Sequence, residues 1–110
     1  MSATYRKITA IIRVDVLERV EAALRELHVG GVSISPVKGY GEYTDFFAGD
    51  WMSPYVRVEI FTSAARATGI TEAVVAAAST GTRGDGICAV HEVESVLRIR
   101  SRALVPPTEI

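Results

Sequence analysis

The stretch Tyr55-Val56-Arg57-Val58-Glu59-Ile60-Phe61-Thr62, running through Ser63 straight into the alanine-rich segment that ends at Ala78, places a strand and a helix back to back. Val56, Val58 and Ile60 alternate with Arg57 and Glu59, the period of a strand with one buried face. Ser63 stands where a helix cap is expected. Beyond it Ile70, Val74, Val75 and Ala78 mark a buried side, while Gly69 weakens that helix by roughly 1 kcal/mol relative to alanine. The same strand-then-helix pairing opens the chain. Residues 5–13 are rich in β-branched side chains, with Ile8, Ala10 and Ile12 on one face. Asp15 and Glu18 have the spacing of a capping box, and Leu17, Val20, Leu24 and Leu27 form a helical stripe to about His28. Gly30 and Gly31 are expected to end that helix. Residues 32–38 read as a second strand, limited by Pro36. Residues 87–93 read as a fourth strand, residues 96–100 as a short extension, and the tail from Leu104, with Pro106 and Pro107, as mobile.

The order strand, helix, strand, strand, helix, strand is that of an α+β, ferredoxin-like βαββαβ sandwich, with both helices on one face of an antiparallel sheet. The 110 residues are expected to form a single domain. Ile11 and Phe61 fall on the sheet face away from the helices, among charged neighbours, so self-association is expected. Hydrophobic residues make up 48% and charged residues 23%, an ordinary soluble composition, and the net charge of −1 argues against a general nucleic-acid or membrane-surface binder. The single cysteine, Cys88, has no ligand-like neighbours and reads as a small core residue in a reduced, cytoplasmic protein. No metal site, membrane-inserted segment or nucleic-acid partner is expected.

Two loops carry the chemistry. In Thr80-Gly81-Thr82-Arg83-Gly84-Asp85-Gly86, three glycines fall within six residues. Backbone N–H groups in such a loop can close on an anion. Arg98 and Arg100, two apart on a strand-like segment, supply cations on one side. The loop follows a helix C-terminus, where the dipole opposes an anion, so these cations have to offset a phosphate. The competing reading is that both arginines pair with surface carboxylates such as Glu92 or Glu94. Residues 39–54 combine Gly39, Gly41, Gly49 and Pro54 with Tyr40, Tyr43, Phe46, Phe47 and Trp51, an aperiodic loop whose apolar surface suits a protein partner. Glu92 with Glu94, His28 and His91 read as surface or helix-end groups rather than catalytic ones. No general base or nucleophile is identifiable, which points to a regulatory protein and not an enzyme.

With this order in place, the chain resembles the PII signal-transduction family over nearly its whole length. The residues that carry the resemblance are Lys7-Ile8 with Ala10-Ile11-Ile12-Arg13, then Val37-Lys38-Gly39-Tyr40-Gly41. Thr80-Gly81, Gly84-Asp85-Gly86 and Arg98-Ile99-Arg100 complete it. The resemblance implies a homotrimeric sensor with an adenine nucleotide in each cleft between subunits and a long effector loop, about residues 42–54, that grips a target transporter or enzyme. Carried across, Gly39 and Gly41 line the cleft, while Thr80, Gly81, Gly84, Asp85 and Gly86 form the nucleotide loop. Arg98 and Arg100 reach the phosphates from the neighbouring subunit, ahead of a C-terminal loop and tail at about 101–110. Arg57 falls where the family has a strand lysine.

The departures from the family pattern matter as much. The arginine and glutamine that usually follow the second of these glycines are Glu42 and Tyr43 here, a lysine after Gly86 is Ile87, and a lysine before the third strand is Tyr55. One unit charge ~4 Å from a phosphate contributes roughly 4 kcal/mol of gross attraction at an effective dielectric of ~20. Losing several such contacts weakens the hold on a third phosphate most, so ADP or AMP is expected over ATP. The run from Gly41 to Met52, with Tyr43, Phe46, Phe47 and Trp51, is similar to PII-like proteins associated with carboxysomes and bicarbonate transport. That likeness implies bicarbonate as a candidate co-ligand, with Lys38, Arg57, Arg98 and Arg100 as anion contacts. The alternative is a nitrogen-regulatory PII protein controlling an ammonium transporter or an assimilation enzyme.

Overall fold

A computed structural model describes residues 4–37 and 55–110. Strand β1 (Tyr5–Arg13) leads through a 3-10 turn, Val14–Val16, into helix α1 (Leu17–Glu26). There follow β2 (Ser33–Val37), β3 (Tyr55–Ser63), α2 (Ala64–Ala78) and β4 (Gly86–Val93). A small hairpin of β5 (Leu97–Arg98) and β6 (Ala103–Leu104) and a second 3-10 turn, Pro107–Glu109, complete the chain. The main sheet is antiparallel with order β2-β3-β1-β4, which makes the proline-bearing β2 an edge strand, where a missing N–H is tolerated. The fold is therefore the α+β βαββαβ arrangement expected, with β3 and β1 as the two central strands.

The core lies between sheet and helices. Ile8, Ala10 and Ile12 of β1 and Val56, Val58 and Ile60 of β3 face Val20 and Leu24 of α1 and Ile70, Val74 and Ala78 of α2. Burying one such aliphatic side chain contributes about 1.5–3 kcal/mol, so this alternation holds the two layers together. Arg66 on α2 donates to the Leu27 carbonyl and ties the two helices at the end of α1. Val75 departs from the expected stripe: it is 49% exposed, because it stands one helical step from Val74 and looks out over a cavity between α2 and β4.

The helix ends differ from the motifs that suggested them. Asp15 lies inside the 3-10 turn, the residue preceding α1 is Val16, and no side chain caps the helix. The Leu17 N–H bonds instead to the Val14 carbonyl, so the tight turn does what the Asp15–Glu18 box was expected to do. At the other end His28, not Gly30 or Gly31, takes the left-handed conformation, with φ 56°. His28 N–H bonds to Arg25 O and Val29 N–H to Leu24 O, both at 3.0 Å, which is the Schellman pattern. Val29 then packs on the core. Ser63 precedes α2 as expected but makes no side-chain cap; the Ala64 N–H is satisfied by the Thr4 carbonyl at 2.7 Å.

The C-terminal region corrects two expectations. Residues 96–100 do not extend β4: Leu97 and Arg98 pair with Leu104 and Ala103, and Ile99 and Arg100 sit in the turn between them. Nor is the tail loose. Val105 is buried, its N–H bonds to Val96 O at 2.9 Å, and its carbonyl accepts the Tyr5 hydroxyl at 2.6 Å. The Thr62 hydroxyl and Arg66 reach the Ile110 main-chain oxygen.

The sheet face away from the helices carries Lys7, Thr9 and Ile11 beside Arg57, Glu59 and Phe61, with Ile87 and His91 on β4. Ile11 and Phe61 are on this face as the alternation required, and Phe61 and Ile87 remain 48% and 46% exposed. Lys7 and Glu59 pair at 2.6 Å, and the ammonium holds the Glu59 carboxyl below its usual range.

Candidate functional site

The loop from Ser79 to Asp85 closes over one end of the sheet, where β4 enters it beside β1. At Gly86 the backbone has φ 110°, and a Cβ there would lie 1.8 Å from the Ile11 carbonyl oxygen. Only glycine lets β4 enter the sheet at this point. Gly81 and Gly84 also have positive φ, 78° and 90°.

The loop is organised from within by Asp85. Its Oδ2 accepts the Thr80 N–H at 2.8 Å and the Gly81 N–H at 3.0 Å, and its Oδ1 accepts the Thr80 hydroxyl. The Thr80 side-chain bond, then the Thr80 and Gly81 N–H groups, with a smaller contribution from Arg13, lower the Asp85 pKa to about 2. Arg13 at the end of β1 lies 3.5 Å from the carboxylate through Nε and donates through Nη2 to the Arg83 carbonyl at 2.5 Å. The buried Tyr55 donates its hydroxyl to the Gly84 carbonyl at 2.5 Å. The loop is thus preassembled: its first N–H groups hold Asp85, and its middle carbonyls hold Arg13 and Tyr55. The Asp85 carboxylate is engaged inside the loop, and Gly84, itself buried, lies in the turn that follows Thr82.

Beside the loop, the C-terminal half of α2 and β4 enclose a cavity of about 220 Å³ lined by Val74, Val75, Ala78, Asp85, Ile87 and Cys88, among others. Burial raises the Cys88 thiol pKa, which keeps it protonated and inert, in line with a packing role. Among the described residues no group of three or more histidines, cysteines and carboxylates could hold a metal ion.

Of the residues singled out from sequence, Thr80, Gly81, Gly84, Asp85 and Gly86 come together here. Arg57 lies two residues from Tyr55 on the same open face, in register with Ile11 and Ser35. Lys38, Gly39, Gly41, Tyr43, Phe46, Phe47 and Trp51 lie outside the described residues. Val37 pairs with Tyr55, so the segment between them leaves from and returns to the end of the sheet that holds the 79–85 loop. Arg98 and Arg100 lie elsewhere. The hairpin that carries them follows Val93 and is rooted beside Tyr5, at the other end of the sheet. Seven residue steps along β4 separate Gly86 from Val93, about 23 Å at strand rise. Arg98 pairs with a carboxylate, as the competing reading held, but with Glu109 at 2.9 Å and not with Glu92 or Glu94. Arg100 is exposed in the hairpin turn.

Sequence reasoning passed over Arg13 and Glu109. The β1–β4 register, carried one step past Ile12↔Gly86, sets Arg13 opposite Asp85, and that was the available signal. Glu109 fell in the tail read as mobile.

The fold and the loop together define a class: a ferredoxin-like α+β domain that presents a preformed, glycine-bearing loop at one end of its sheet. Comparison with known proteins carries this further. Residues 5–103 match the family model described as "Nitrogen regulatory protein P-II". The chain is 36% identical over 104 residues to the nitrogen regulatory protein P-II of Rhizobium meliloti, covering 87% of this chain and 92% of that one. It is 35% identical over 106 residues to the same-named protein of Porphyra purpurea, covering 90% and 95%. Among solved structures it is similar to Arabidopsis thaliana PII bound to citrate, with a TM-score of 0.79, 27% identity, and coverage of 94% of this chain and 90% of that one. The chain belongs to the P-II family, whose members are regulatory signal transducers and not enzymes. None of its described helices is long and apolar enough to cross a membrane.

Proposed function

We propose that this chain is a cytoplasmic P-II-type sensor that assembles as a homotrimer and binds an adenine nucleotide in each cleft between protomers. The Thr80–Gly86 loop of one protomer and Arg98 and Arg100 of its neighbour hold the phosphates, with Gly39 and Gly41 along the cleft. One observation carries this reading: loop and arginines stand at opposite ends of the sheet within one chain. They can act on one ligand only if a second copy brings its hairpin to the first copy's loop. The half-exposed Phe61 and Ile87 on the open face give such an assembly apolar surface to bury.

The nucleotide held best is ADP or AMP. Ile87 brings no cation, and Tyr55 is engaged with Gly84, so two places that the family fills with lysine offer nothing to a third phosphate. The space left suits a small anion such as bicarbonate, with Arg57, Lys38 and the two arginines as contacts. The Arabidopsis relative binds citrate, so one solved member of the family holds a carboxylate anion, which is in keeping with an anion ligand here. Signalling of carbon or energy status passes through the segment holding Tyr43, Phe46, Phe47 and Trp51 to a partner protein. The second reading, control of an ammonium transporter or a nitrogen-assimilation enzyme, is favoured by the names of the relatives and opposed by Glu42 and Tyr43. Calorimetric titration with ATP, ADP and AMP, each with and without bicarbonate and 2-oxoglutarate, separates the two. ADP or AMP tightened by bicarbonate supports the first, ATP tightened by 2-oxoglutarate supports the second, and no binding of any nucleotide overturns both.

A further inference from the structure

We propose that Glu109 is a built-in competitor for the phosphate contacts of Arg98 and, through its charge, a determinant of how many phosphates the site accepts. The proposal rests on the nucleotide reading of Arg98 given above. Glu109 does not meet Arg98 by chance placement of a loose end. The segment that carries it is anchored on both sides, through Val105 to Tyr5 and Val96 before it and through Ile110 to Thr62 and Arg66 after it. Between the anchors, Pro107 starts a 3-10 turn closed by the Glu109 N–H on Pro106 O at 2.9 Å. The turn aims the Glu109 carboxylate at Arg98, where Oε2 accepts from Nη2 at 2.9 Å.

A guanidinium recognises phosphate through paired N–H groups in a fixed plane, and a carboxylate seated on one of its nitrogens occupies part of that fork. A bound phosphate has to displace Glu109 or share Arg98 with it. Both groups are close to half exposed, at 42% and 49%, so the competition is modest and reversible. The carboxylate that stays nearby repels the ligand in proportion to its charge. It therefore counts most against a triphosphate and least against a monophosphate.

The test is calorimetric titration of the full chain with ADP and ATP in four forms: parent, Glu109→Gln, Arg98→Gln and the double variant. Removing the carboxylate is expected to tighten ADP about three- to five-fold, the scale of an exposed ion pair, and ATP by a larger factor. Arg98→Gln weakens both ligands, and adding Glu109→Gln to it recovers less than Glu109→Gln gains in the parent, because the competition for the guanidinium is gone and only the charge repulsion remains. If Glu109→Gln binds both nucleotides like the parent while Arg98→Gln weakens them, the competitor is overturned and the nucleotide reading stands. If Arg98→Gln binds like the parent, the role of Arg98 falls and the competitor with it.

Discussion

Replacing Gly86 with alanine probes the point on which both sheet and loop depend. The added Cβ would stand 1.8 Å from the Ile11 carbonyl oxygen, a backbone atom that no rotamer change can move aside. The φ of 110° is also outside the range that L side chains favour. A non-glycine residue with positive φ costs about 1–2 kcal/mol, and parting β1 from β4 forfeits a ladder hydrogen bond or two at about 1 kcal/mol each. The sum is about 3 kcal/mol. With a urea m-value of about 1–3 kcal/mol per molar, that lowers the unfolding midpoint by about 1–3 M. Protomer concentration is held constant, since assembly adds to apparent stability. The internal control is Gly69→Ala in α2, where an added Cβ meets nothing within 4 Å. There alanine is expected to stabilise by up to about 1 kcal/mol. A Gly86→Ala protein that unfolds at the parental midpoint would refute the claim that this glycine is imposed by the approach of the two strands.

The Asp85 carboxyl, lowered from its usual 3.8 to about 2 in the fold, supports the loop in full above pH 4 and loses that support as the pH falls toward 2. The Thr80 and Gly81 amide resonances should shift across that window and stop responding in Asp85→Asn; a midpoint at 4 or higher would contradict the contacts described. Ile70, 2% exposed in the core, should cost about 2–5 kcal/mol as alanine, read from denaturant unfolding, while nucleotide affinity of the folded protein stays unchanged.

The architecture was legible in the sequence because hydrophobic period reports burial directly. The alternation of Val56, Val58 and Ile60 and the helical spacing of Ile70, Val74 and Ala78 both match the observed core. The elements that went astray are those settled by backbone geometry or by distant partners. Asp15 and Glu18 have capping spacing, yet a 3-10 turn satisfied the helix start first. Gly30 and Gly31 were the obvious terminators, but His28 accepted the left-handed position two residues earlier. The tail looked loose because its anchors, Tyr5 and Thr62, lie about a hundred and about fifty residues away in sequence. The glycine loop was visible as a motif, whereas its stitching was not: Arg13 is opposite Asp85 only through the β1–β4 register, which no local pattern states. The separation of that loop from Arg98 follows from the same register.

The central claim is that each ligand site draws on two protomers, and mixing two defective variants tests it most directly. One variant carries Asp85→Ala in the loop and the other Arg98→Gln with Arg100→Gln; each alone is expected to bind ADP weakly. Unfolded together in equal amounts, refolded and titrated, they should regain tight sites, about a quarter of the total for random assembly in a closed ring. A mixture that binds no better than its two components, with assembly intact, would contradict the account.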